Sequence, residues 1–276
     1  MSIIPIHDTE LYYIERGAGA PVLFIHGSMN DYRAWQAQIE VFAAHYHVIA
    51  YSRRFHYPNP LPSGVTTYAV IDHARDLAEL IQALGVGPVH AICSSYGGCV
   101  ALAAAVDHPE LFRSLVLGEP PVLTWLSGAP GGEELLQAQG QRIAAAHEAF
   151  VRGDAERGVG IFMDSVLGAG TFERFPPWAR ARLMENAPVM QIETATPPEV
   201  YFPQLPRDAI RKLALPVLLL TGQFSPRMFH VVIDELAQTL PNHERETIPN
   251  ASHAMHNMNA PFYNEKVLSF LERRGK

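Results

Sequence analysis

Val89-His90-Ala91-Ile92-Cys93-Ser94-Ser95-Tyr96-Gly97-Gly98-Cys99-Val100-Ala101-Leu102 carries the sharpest pattern in the chain. A short, largely apolar run meets a cluster of small residues, and an Ala-rich segment follows at once, ending near His108-Pro109. The spacing predicts a strand over 89–93, a tight turn, and a helix. A turn this sharp imposes unusual backbone angles on its central residue and brings helix and strand close together, so its neighbours must be small. Ser95 then stands at a helix N-terminus, where free N–H groups and the helix dipole favour developing negative charge.

Outward from this point, short apolar runs alternate with segments of helical period. Strands are expected over 11–15, 21–26, 47–52, 89–93, 114–118, 216–221 and 244–248. Several are continuously apolar rather than alternating, as parallel strands buried on both faces are. Over 68–84 the residues Ile71, Ala74, Leu77, Ala78, Leu80, Ile81 and Leu84 form one stripe, while Asp72, Arg75, Asp76, Glu79 and Gln82 face away. Repetition of strand and helix implies an α/β fold, a mostly parallel central sheet flanked by helices. The rhythm breaks over 122–210, which is rich in Ala, Glu, Gln and Arg, is punctuated by Gly168 to Gly170, Pro176-Pro177 and Pro197-Pro198, and holds no convincing strand. The expected division is a core of residues 1–121 and 211–276, with 122–210 inserted as a helical cap that shapes a pocket and excludes water.

The 276 residues are 48% hydrophobic and 18% charged, enough apolar material for a covered sheet. A net charge of −7, with basic residues clustered only as pairs such as Arg53-Arg54 and Arg273-Arg274, argues against nucleic acid as a partner. No apolar run approaches a membrane span and the N-terminus lacks a signal-peptide pattern, so a cytoplasmic protein without membrane contact is expected, as a monomer or homodimer. The two cysteines, Cys93 and Cys99, fit no ligand pattern and read as reduced core thiols.

Strand, turn and helix around Ser95 have the layout of a nucleophile elbow, whose usual pattern is G-x-S-x-G. Here it reads Cys93-Ser94-Ser95-Tyr96-Gly97, with Cys in place of the first Gly. Ser94 and Cys93 are the alternative nucleophiles, but Ser95 has Gly two positions later and a Gly-Gly pair that lets the helix pack. Strand 21–26 ends in His26-Gly27-Ser28-Met29, a turn whose backbone N–H groups suit an oxyanion. By position the donors are the N–H groups of Ser28 and Tyr96. Near the C-terminus, Pro249-Asn250-Ala251-Ser252-His253 follows the last strand, and a helix over 262–272 closes the chain. A His on that loop reaches the sheet edge where Ser95 lies, and neutral imidazole suits proton exchange near pH 7. His253 is preferred to His256 because small residues make the approach to it; His230, His243 and His256 read as structural or surface residues.

Taken together, these segments resemble the α/β-hydrolase superfamily over nearly the whole length, in the chain order nucleophile, acid, base. In most relatives the acid is an Asp in a Gly-x-x-Asp pattern after the strand matching 216–221; this chain has Gly222-Gln223-Phe224-Ser225. Serine supplies no carboxylate to orient the imidazole. Strand 114–118, however, ends in Glu119-Pro120-Pro121, and haloalkane dehalogenases and zearalenone-type lactone hydrolases include members whose acid follows this earlier strand. The Cys-Ser-Ser and Glu-x-Pro patterns look like the lactonase group. The resemblance therefore implies Ser95, His253 and Glu119 as a catalytic triad, with Asp234 as the fallback acid.

The expected activity is serine hydrolysis of an ester or lactone of a small, apolar substrate through an acyl-enzyme, of carboxylesterase or lactonase type, with no metal and no organic cofactor. The rival readings are a carbon–carbon bond hydrolase or cofactor-independent oxygenase on the same fold, and a non-catalytic ligand-binding protein. Trp125, Phe150, Phe162, Met163, Phe172, Phe175, Trp178, Met184 and Met190 supply the apolar material of segment 122–210, as packing or as pocket wall.

Overall fold

A computed structural model describes residues 1–202 and 204–274. Its eight strands, β1 (Ser2–Ile6), β2 (Thr9–Arg16), β3 (Pro21–Ile25), β4 (His47–Tyr51), β5 (Val89–Ser94), β6 (Phe112–Gly118), β7 (Val217–Gly222) and β8 (His243–Ile248), form one sheet in the order β1-β2-β4-β3-β5-β6-β7-β8. The pairs β1/β2 and β2/β4 are antiparallel and the remaining ones parallel.

Strand alternation explains how one sheet supports two cores. Leu23, Ile25, Ala91, Cys93, Leu115, Leu117 and Leu219 face a layer that includes the helices α2 (Val70–Leu84), α3 (Tyr96–Asp107) and α11 (Arg227–Thr239). Val22, Phe24, Ile92, Val116, Leu218 and Leu220 face α1 (Gln36–Ala43) and α13 (Ala260–Glu272) on the other side. Every one of these strand side chains is at most 1% exposed, which accounts for the continuous apolar runs in the sequence.

Between β6 and β7 the described residues contain no strand. They hold α4 (Gly132–Val151), α5 (Ala155–Leu167), α6 (Thr171–Arg174), α7 (Pro177–Met184), α8 (Ala187–Ala195), α9 (Pro198–Tyr201) and α10 (Arg207–Arg211). Part of this segment has its own core, where Phe150, Met163 and Phe172 pack with Val159, Leu183 and Met29. The turn after β3 is tied to it by polar contacts: Arg33 bridges Asp31 and Glu185 at 2.7 and 2.6 Å, and Asn186 donates to Asp31 at 3.3 Å. The short helix α12 (Met255–Met258) precedes α13. No helix among the described residues is long and apolar enough to cross a membrane.

Two expectations need correction. Strand β1 does not figure in the sequence reading; it is an edge strand, where the missing N–H of Pro5 is tolerated. Asp76, assigned by period to the outer face of α2, is 2% exposed because Arg54 meets both its oxygens, at 2.5 and 2.6 Å, while Ile71 of the assigned stripe is 40% exposed. Helical period describes apolar patterning and is blind to a distant ion pair.

Candidate active site

Strand β3 lies between β4 and β5, so the connections leaving it and the one arriving at β5 run to opposite sides. In open α/β sheets the carboxyl edge at such a reversal is a crevice. The loops at this edge carry the candidate residues: Ser28 after β3, Ser95 after β5, Glu119 after β6 and His253 after β8.

Ser95 has φ +51° and ψ −125°, a strained conformation for a residue with a side chain, and is held there by hydrogen bonds on both sides. Its N–H donates to Gly118 O and its carbonyl accepts from Gly98 N–H, both at 2.7 Å. The flanking glycines are required by contact. A Cβ on Gly97 would lie 2.4 Å from Ile25 O and 2.6 Å from His26 O, and one on Gly27 would lie 2.9 Å from Ser95 Cβ. Cys93, in contrast, is still within β5, level with Ile25 on one neighbour and Leu117 on the other. Its side chain fills core rather than turn, which is why the pattern tolerates a residue other than Gly there. Burial pushes the Cys93 thiol well up, so it is no rival nucleophile at neutral pH.

Glu119 is fully buried and has φ +49°, so two strained non-glycine residues stand at the ends of adjacent strands. Its Oε2 lies 2.6 Å from His253 Nδ1, and its Oε1 accepts the Gly222 N–H at 2.8 Å. An ionised carboxylate only accepts, so the His253 proton sits on Nδ1 and Nε2 keeps its lone pair. Phe229 stacks on the imidazole at 3.9 Å between centroids and 12° between planes. The Ser95 hydroxyl makes no hydrogen bond to His253 among the described residues; such contacts are often long before substrate binds.

The other acid positions are accounted for. Ser225, at the position where the resemblance implies an Asp, is 8% exposed and its N–H donates to Gly222 O at 3.1 Å. Gly222 has no room for a side chain, because a Cβ would meet Ser252 O at 2.6 Å. Asp234 lies at the surface and pairs with Arg245 at 2.7 Å, away from the imidazole. His256 is buried rather than at the surface, and burial, with His253 nearby, holds it down at about 3.

Neither the Ser28 N–H nor the Tyr96 N–H donates to a protein acceptor among the described residues, and the latter opens α3. The turn carrying Ser28 is fixed by His26. Its Nε2 accepts the Arg53 N–H at 2.9 Å, which leaves the proton on Nδ1, 2.8 Å from Gly27 O. Burial, with the Arg53 charge adding to it, pushes His26 down to about 3, so it is a neutral strut.

A cavity of about 710 Å³ opens above Ser95 and Ser28. Most of its wall area is apolar, with Leu123, Ile143, Phe162, Met190 and Phe229 among the lining residues, and Gln139, His147, Glu193, Glu199, Tyr201 and Gln204 among the polar ones. Of the aromatic and methionine residues singled out in 122–210, Phe162 and Met190 line it, Phe150, Met163 and Phe172 pack beneath, and Trp178 is 70% exposed. Glu193, Tyr201 and the stacking of Phe229 went unread in the sequence, since no local pattern announces them.

The chain matches the family model described as alpha/beta hydrolase fold over residues 20–257. It is 26% identical over 262 residues to an (E)-2-((N-methylformamido)methylene)succinate hydrolase of Acinetobacter baylyi, covering 93% of this chain and 90% of that one. Three further curated relatives match over 35% to 49% of their own length. A thermophilic esterase structure from Thermogutta terrifontis aligns over 100% of both chains at 22% identity and a TM-score of 0.79. The structure of Est816, described as an N-acyl homoserine lactone degrading enzyme, aligns over 98% of this chain and 100% of its own at 22% identity and 0.76. Family match, strand order and elbow agree, and the chain belongs to the α/β-hydrolase fold family.

Proposed function

We propose that the chain is a serine hydrolase that cleaves an ester or lactone of a small, largely apolar substrate beneath a helical cap formed by residues 122–210. The observation that carries this reading is the Glu119–His253 pair at 2.6 Å, buried at the strand ends next to Ser95. His253 Nε2 takes the Ser95 Oγ proton as Oγ attacks the carbonyl carbon, and the carbonyl oxygen gains negative charge opposite the N–H groups of Ser28 and Tyr96. The proton passes from Nε2 to the leaving oxygen as the C–O bond breaks and the acyl group stays on Ser95. Water, deprotonated by His253, attacks the acyl-enzyme, and Ser95 recovers its proton. Glu119 stays ionised throughout, orienting the ring and stabilising its charged form.

The cavity volume lies in the usual range for small-molecule sites, and its wall favours apolar acyl or alcohol groups. The full-length relative named as a hydrolase supports hydrolysis over a binding role. The test is a panel of p-nitrophenyl esters and lactones with wild type and Ser95→Ala. Turnover abolished in the variant is the expected result; equal rates would sink the nucleophile assignment, and turnover of no ester or lactone would sink the substrate class.

A further inference from the structure

Ser28 and Tyr96, the proposed oxyanion donors, are both held, through their side chains, by one tyrosine of the segment between β6 and β7. Tyr201 ends α9 and lines the cavity. Its hydroxyl donates to Glu193 Oε2 at 2.7 Å and lies 2.9 Å from Ser28 Oγ. Because its one proton goes to the carboxylate, the Ser28 hydroxyl is the donor in the second contact. The Tyr96 hydroxyl donates to the Tyr201 carbonyl at 2.7 Å, and the two rings pack in a tilted pair, 4.5 Å between centroids and 31° between planes. Glu193, at the end of this chain of contacts, is 4% exposed, and His56 Nε2 lies 3.6 Å from its Oε1, too far for a hydrogen bond. Burial pushes its carboxyl above the usual range, opposed by the buried charge of Arg53.

We infer that Tyr201 is a positioning residue for the oxyanion donors: its hydroxyl and carbonyl fix Ser28 and Tyr96, so that the donor pair is correctly set only when segment 198–201 is seated on the strand ends. This rests on the proposed roles of Ser95, Ser28 and Tyr96. The relevant arrangement is sub-ångström, because a donor must meet the oxygen where charge develops, and small misplacements cost rate rather than affinity.

Tyr201→Phe keeps the ring and the carbonyl, and so the Tyr96 contacts, while removing the hydroxyl that contacts Ser28. Its kcat on an ester is expected to fall about 10- to 100-fold with KM within about threefold, and its affinity for a boronic acid that forms a tetrahedral adduct to fall by a similar factor. Ser28→Ala keeps the backbone N–H and loses the same hydrogen bond, so its kcat falls likewise and the double variant is no slower than the slower single one. A Tyr201→Phe kcat within twofold of wild type, a loss confined to KM, or losses that multiply in the double variant would overturn the inference. If Tyr201→Phe does not fold by circular dichroism, Ser28→Ala decides alone, and a wild-type kcat there overturns it. Ser95→Ala, assayed beside them, separates the two levels. Full activity in that variant refutes the proposed function itself, whereas its inactivity alongside full activity of Tyr201→Phe refutes the positioning role alone.

Discussion

Replacing Glu119 by Gln keeps the shape of the side chain and turns one of its two acceptors into a donor. In the native site both oxygens receive a proton donor, His253 Nδ1 at 2.6 Å and the Gly222 N–H at 2.8 Å, and the side chain is fully buried. Gln satisfies only one of them. If its oxygen stays on Gly222, its NH₂ faces His253 Nδ1, and the ring responds by moving its proton to Nε2. That tautomer has no lone pair for the Ser95 proton. If its oxygen stays on His253 instead, the NH₂ opposes a buried backbone N–H, at a cost of about 1–3 kcal/mol. The inactive arrangement is therefore the stable one. An acid-to-amide change of this kind in a serine triad lowers kcat about 10⁴-fold, or about 5.5 kcal/mol. We expect a loss of about 10³- to 10⁴-fold in kcat on p-nitrophenyl butyrate with little change in KM, and a melting temperature close to that of wild type. Asp234→Asn, at the exposed pair with Arg245, is the control and should keep full activity. A Glu119→Gln rate within threefold of wild type, or a large loss in Asp234→Asn, would refute the assignment of the acid.

Gly97 tests the packing of the elbow. A Cβ there meets two backbone carbonyls, which cannot swing aside, so Gly97→Ala should destabilise by about 1–3 kcal/mol in urea unfolding and lose activity. Gly140, at an open position within α4, should instead gain about 0.5–1 kcal/mol on change to Ala, and equal shifts for the two would contradict the steric account. Acid stability follows from the buried imidazoles. His26 and His256 are held at about 3 in the folded chain against 6.5 unfolded, so below pH 6.5 only the unfolded chain takes up their protons. Stability from these sites is complete above pH 6.5 and falls by about 1.4 kcal/mol per site for each unit of pH down towards 3. His256→Phe should therefore have a shallower decline in urea midpoint between pH 6.5 and 5 than wild type, and parallel declines would count against the buried neutral ring.

What the sequence disclosed, and what it withheld, follows the range of the interactions involved. The strand, turn and helix around Ser95 are legible because each is a local pattern: apolar run, small residues, Ala-rich segment. The pairing of Glu119 with His253 spans 134 residues and has no local signal of its own; it becomes visible through the empty acid position at Ser225 and the strand end that precedes Glu119. Strand β1 escaped because Pro5 interrupts its pattern and only its edge position makes that harmless. The burial of Asp76 depends on Arg54, 22 positions away, and the seating of Tyr201 on Ser28 joins residues 173 positions apart. Contacts of that kind depend on how the elements pack, which periodicity does not encode.

Covalent labelling reports whether Ser95 carries an activated hydroxyl beneath the cavity. Incubation with a fluorophosphonate, followed by intact mass and peptide mapping, should give one adduct on Ser95, prevented by an excess of a turned-over ester and absent in Ser95→Ala. Glu119→Gln and His253→Ala should label more slowly by orders of magnitude, since both leave the hydroxyl without its base. An unlabelled wild-type protein, or an adduct on any other residue, would contradict the account.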